Sequence, residues 1–288
     1  MTHRAGANPP ASTPQDDLWT VAAIAVLASI VANVAHENIG HGVGLLLAGG
    51  RSGIFTTTRL IVPMPVPDPA WRIFDLGGPA GNLGCAALAW IALRLLPPAR
   101  IRARLFCWLT MAFSLFWAFG YMLFSAVAGR GDWLALLPAH WPAGRILLGL
   151  AGFLLYEASI RLGARELGRT LAGSRVEMQA RAKKLVAIAG WAGGLIAVAG
   201  AALDPRGSME MIDSGALCAL AFAIGLLRIP RRFRRNRDGN LGLPLQAGAT
   251  AAAVQETVIA RSRGWLLAAL AAALFFVAVL GPGIPWRL

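Results

Sequence analysis

The sequence predicts an all-α fold, a polytopic transmembrane helix bundle of about seven spans. Three observations carry that expectation. The 288 residues are 57% hydrophobic and only 14% charged, with a mean hydropathy of +0.59, too apolar for a water-soluble chain of this length. Apolar runs long enough to cross about 30 Å of hydrocarbon at 1.5 Å per residue recur along it. The Arg and Lys residues gather between those runs, in alternate connections.

The runs fall near Leu18–Leu47, Pro79–Pro97, Leu105–Ala128, Ile146–Leu162, Leu185–Leu203, Ser214–Ile229 and Gly264–Gly281. Ahead of them, residues 1–17 read as a disordered tail without the order of a signal peptide. Residues 18–133 form the expected membrane core that carries the chemistry, and 134–288 add further spans with basic loops. Arg100, Arg102 and Arg104 follow the second run, Arg161 to Lys184 the fourth, and Arg228 to Arg237 the sixth. By the positive-inside rule these loops are cytoplasmic, so the N-terminus is cytoplasmic and the C-terminus outside. The expected location is a bacterial inner (plasma) membrane, with the lipid bilayer as the first partner.

The net charge of +13 does not argue for nucleic acid, because the basic residues lack the aromatic interleaving of a strand-binding groove. Arg231–Arg237 is a topology determinant or a patch for anionic lipid. Cys85, Cys107 and Cys218 lie far apart inside apolar runs and read as small core residues.

Between the first two spans, Ile54–Thr58 and Leu60–Val62 are β-prone until Pro63, Pro65, Pro67 and Pro69 interrupt them. A short hairpin and a plain interfacial loop are both open there. The second span opens with Asp75-Leu76-Gly77-Gly78-Pro79-Ala80-Gly81-Asn82, which permits an unwound backbone at a helix start with Asn82 bonding a peptide or water, or an ordinary Gly-Pro helix start with Asn82 in an interhelical hydrogen bond. Residues 238–258 read as a linker.

The first run carries His36-Glu37-Asn38-Ile39-Gly40-His41. Ionisable groups at membrane depth are costly and call for a reason, and metal binding supplies one. Neutral imidazoles ligate zinc, and a neighbouring carboxylate takes a proton from water. In the common H-E-x-x-H motif the histidines stand four apart on one helix face. Here they are five apart, about 140° around a regular helix. Three readings are open: a one-residue bulge at Asn38–Gly40 that brings both histidines to one side, ligation by Glu37 and His41 with His36 behind them, or no metal at all. A third ligand has to come from another helix. Asp132, in Ala128-Gly129-Arg130-Gly131-Asp132-Trp133, is the leading candidate, with an ion pair to Arg130 as its alternative. Glu157 reads as an i,i+4 partner of Arg161, His140 as an interfacial anchor, and His3 as part of the tail.

The six-residue motif resembles that of the soluble dipeptidyl-peptidase III family. The order of features over Ala35–Trp133 is similar to the site-2-protease family of intramembrane zinc metalloproteases: a histidine-glutamate motif ending in Gly40-His41, then Gly78-Pro79-Ala80-Gly81-Asn82, then an Asp. That resemblance implies Zn2+ held by His36, His41 and Asp132, with Glu37 as general base and Asn82 positioning a substrate. The chain differs from the family in its wider histidine spacing and in Trp133 after Asp132. The substrate class so implied is a membrane protein or peptide. Hydrolysis of a lipid amide or ester, and a non-enzymatic transporter or assembly role, are the alternatives.

Overall fold

The structure is a computed structural model and describes residues 15–63, 70–138, 141–171, 175–205, 216–233 and 258–288. Most of the expected tail, His3, His140 and most of the expected linker lie outside those residues. Asp16 and Asp17, counted with the tail, are fixed. Asp16 takes two hydrogen bonds from Arg181, each 2.7 Å. Asp17 caps the first helix by accepting from the Thr20 amide at 2.9 Å and the Thr20 hydroxyl at 2.6 Å.

Among the described residues, six helices are long and apolar enough to cross a membrane. The first, Leu18–Leu47, is composite: α1 (Leu18–Val34), one wide π turn (Ala35–Gly40) and α2 (His41–Leu47). Then follow α3 (Ala70–Leu95), α4 (Ile101–Ala128), α5 (Pro142–Thr170), α6 (Arg175–Ala201), α7 (Leu217–Arg228) and α8 (Arg263–Phe275), the last extended by a π turn over Phe276–Leu280. The core lies where α1, α4, α5, α6 and α7 meet, around Trp108, Phe113, Phe116 and Phe222.

Where the sequence favours a hairpin or a loop, the structure has the hairpin. Strands β1 (Ser52–Phe55) and β2 (Leu60–Ile61) pair antiparallel, Ile54 opposite Ile61. A third strand joins on the other edge of β1: β3 (Ile284–Arg287), with Ser52 opposite Arg287. The hairpin is pinned by threonines. Thr57 donates to the Gly200 carbonyl at the end of α6, Thr58 and Thr56 both meet Asp204, and Asn33 and Asn38 donate to the Thr57 and Thr56 carbonyls.

These contacts orient the chain. The start of α1 touches the start of α8 through Asp17 N–H to the Ile259 carbonyl and Ser262 N–H to Thr20. The far ends of α1 and α8 meet again in the β1–β3 pair. Both helices therefore run from a basic end of the bundle to a hairpin end. Since α6 also finishes at the hairpin and α8 begins at the basic end, the chain must return between Asp204 and Ile259.

The sixth run is corrected at its end. Expected over Ser214–Ile229, of which Ser214 and Gly215 lie outside the described residues, it carries the 12-residue helix α7. It continues as a 3-10 turn over Ile229–Phe233 against Gly163 and Gly168 of α5, so the passage runs along the basic half of α5. A second correction concerns the second run. Its helix does not start at Pro79 but runs over Ala70–Leu95 with Pro79 inside it, and Gly77, Gly78 and Gly81 serve as a contact surface. A Cβ on Gly81 would stand 2.1 Å from the Ala35 carbonyl oxygen, and one on Gly40 2.4 Å from that of Gly77. Only hydrogens fit where α3 crosses the π turn. Glu157 is also reassigned: its partners are Arg228 and Arg232 of the α7 segment, the latter at 2.8 Å, in place of Arg161.

A candidate metal centre

The π turn answers the five-residue spacing. The backbone N–H of His41 reaches the carbonyl of His36, five residues back. That wider ring accommodates the extra residue and swings both imidazoles to one side of the helix. Their ring centroids lie 5.1 Å apart. The distortion is held from outside, by Gly40 against Gly77 and by the Asn38 amide on the hairpin.

Asp132 arrives from the connection after α4. Gly129 and Gly131 have φ values of +70° and +114°, in the region that favours glycine, so the chain turns sharply on both sides of Arg130. The turn is anchored by Trp133, whose indole N–H donates to the Ala118 carbonyl at 2.8 Å. The Asp132 Oδ2 then stands 3.1 Å from His36 Nε2 and 3.3 Å from His41 Nε2. Burial alone raises the pKa of this carboxyl, but hydrogen bonds from the two imidazoles outweigh it and hold the group well below the usual carboxylate range.

The three groups can hold a metal ion, since their ligand atoms all lie within 4.8 Å of one another. Ligands about 2.0–2.1 Å from a tetrahedral ion stand roughly 3.3 Å apart, which the two Asp132 distances match. Each imidazole also has its other nitrogen engaged, and His41 donates through it to an acceptor, as metal-binding histidines do. His41 Nδ1 faces the Phe74 carbonyl at 2.9 Å, and His36 Nδ1 faces the Asn82 side-chain nitrogen at 3.0 Å. Trp117 stacks on His36, with ring centroids 5.1 Å apart.

Glu37 is buried beside the triad and lines the same cavity of about 800 Å³. The walls are mostly apolar and aromatic, including Trp71, Phe74, Tyr121 and Phe124, with Arg59 and Arg130 among the lining residues. The structure thus brings together His36, Glu37, His41 and Asp132. Asn82 reaches the group from behind, on the face of His36 turned away from Asp132. Sequence reasoning missed Phe74, whose backbone carbonyl carries no side-chain signal, and Cys218, which lines the cavity rather than only filling core.

No family model, no curated protein and no solved structure matches this chain.

Proposed function

We propose that this protein is an intramembrane zinc metallohydrolase of the site-2-protease kind, cleaving peptide bonds of membrane-associated substrates. The observation that carries the reading is the convergence of His36 Nε2, His41 Nε2 and Asp132 Oδ2 from two separate segments, with Glu37 lining the same cavity. The π turn is the feature without which a five-residue spacing could not serve.

Bound there, zinc supplies Lewis acidity that lowers the pKa of water and polarises a carbonyl. Glu37 takes the proton from the attacking water and returns it to the leaving amine. Apolar and aromatic walls hold the substrate segment and limit bulk water, while Arg59 and Arg130 give the cavity cationic side chains that favour carbonyl and carboxylate groups. The positive-inside rule supports a cytoplasmic α1 start, and on that reading the site opens in the extracytoplasmic half of a plasma membrane.

The test pairs zinc analysis of the purified parent with Glu37→Gln. Stoichiometric zinc in both, together with a membrane-protein fragment formed only by the parent, is the expected result. A parent without zinc refutes the reading. Accumulation of a lipid amide or ester in Glu37→Gln cells, in place of an uncut protein, moves the substrate to lipids. An unchanged Glu37→Gln phenotype points to transport or assembly.

A further inference from the structure

Asn82 is fully buried, at 0% exposure, and does not line the cavity. Its side-chain nitrogen is 3.0 Å from His36 Nδ1, while its Oδ1 is buried without a hydrogen-bond partner among the described residues. The two histidines therefore differ in what backs them. His41 Nδ1 faces a backbone carbonyl, which can only accept, so that nitrogen carries a proton whether or not Nε2 is given to a metal. His36 Nδ1 faces an amide, which can donate through one atom and accept through the other.

We infer that Asn82 is a positioning residue that sets the ring state of His36, donating to Nδ1 in the metal-free protein and turning its amide to accept from Nδ1–H when Nε2 is given to a metal. The inference rests on the metal-site reading above. In the metal-free arrangement the single proton of a neutral ring lies on Nε2 and is donated to Asp132 at 3.1 Å, so Nδ1 accepts from Asn82. Ligation through Nε2 requires that lone pair, so the proton moves to Nδ1 and the ring's net protonation is unchanged. A half-turn of the Asn82 amide then brings its unpartnered Oδ1 onto Nδ1–H. Aspartate at this position can only accept, and leucine can do neither.

The experiment measures zinc Kd by chelator competition on the full chain in detergent, for the parent, Asn82→Leu and Asn82→Asp. Loss of a partner that orients a ligating histidine weakens metal binding about 10- to 100-fold, which is the expectation for Asn82→Leu. Asn82→Asp is expected to bind as tightly as the parent or more tightly. Nitrogen-15 spectra of histidine-labelled parent supply a readout that needs no variant to fold: the His36 proton sits on Nε2 without zinc and on Nδ1 with it. Parental affinity in Asn82→Leu, binding by Asn82→Asp as weak as by Asn82→Leu, or a proton on Nδ1 in both states overturns the inference. A parent that binds no zinc fails the metallohydrolase reading itself and is recognised by that measurement alone.

Discussion

Gly78→Ala is the most direct probe of the candidate metal centre, because a side chain at Gly78 would stand against both candidate ligand nitrogens, His36 Nε2 and His41 Nε2. A methyl carbon on Gly78 would stand 2.5 Å from His41 Nε2 and 2.7 Å from His36 Nε2. Ordinary contact is about 3.5 Å, so each ring must retreat by roughly 1 Å. Metal–imidazole bonds of about 2.0–2.1 Å tolerate only about 0.2 Å of error, so neither bond survives that retreat unchanged. Disturbing the orientation of a ligand alone costs about 10- to 100-fold in affinity, and here two ligands move, so zinc Kd is expected to rise by more than about 100-fold. Folding should change less. The blocking atoms are the ends of side chains, and the overpacking cost of about 1–3 kcal/mol is partly offset by the 0.5–1 kcal/mol or so that alanine gains over glycine inside a helix. Zinc competition and thermal unfolding on the same samples separate the two effects. Gly84→Ala, on the same helix, is the control, since a Cβ there meets no other part of the protein within 4 Å beyond its own helix backbone. A Gly78→Ala protein that melts like the parent and binds zinc with parental affinity refutes the placement of the site.

Two further predictions need no substrate. The Asp132 carboxyl is held below its ordinary range by the two histidines, so its stabilisation of the metal-free protein is complete above about pH 4 and is lost as pH falls from there toward its depressed folded value. Thermal melts of metal-free parent and Asp132→Asn between pH 6 and pH 3 should show the parent losing more over the lower part of that range, and parallel curves would contradict it. Asp17→Ala removes the cap on α1 and is expected to cost about 1 kcal/mol while leaving zinc affinity unchanged, read by the same melts and titrations.

Much of the bundle was readable from the chain because lipid imposes long apolar runs and the basic connections mark one end. His36 and His41 were readable as a pair only through the cost of ionisable groups at membrane depth. Their spacing left a local distortion that Gly40 permits as one of three readings, and the π turn is that distortion. What escaped depends on partners distant in sequence. Ile284-Pro285-Trp286-Arg287 contains a proline and no alternating pattern, and its strand exists because β1 offers an open edge. Glu157 lies one turn from Arg161 in sequence, yet the short α7 brings Arg228 and Arg232 to it instead. Gly77, Gly78 and Gly81 read as a helix start when considered alone. Only the crossing of α3 over the π turn shows that they are a contact surface.

The pairing of β1 with β3 has a consequence for how the protein is made. Ser52 and Arg287 are neighbours in the sheet and almost the whole chain apart in synthesis. Until β3 emerges and its helix inserts, β1 has one edge unpaired and Phe55 lacks Trp286, whose ring stacks on it at 5.4 Å. The hairpin that braces Asn38 and the π turn is thus finished late, through contacts of high sequence separation that form slowly. A nascent chain carrying both histidines and Asp132 would still lack the completed brace on the candidate metal site, which is therefore finished only after the last helix has been made.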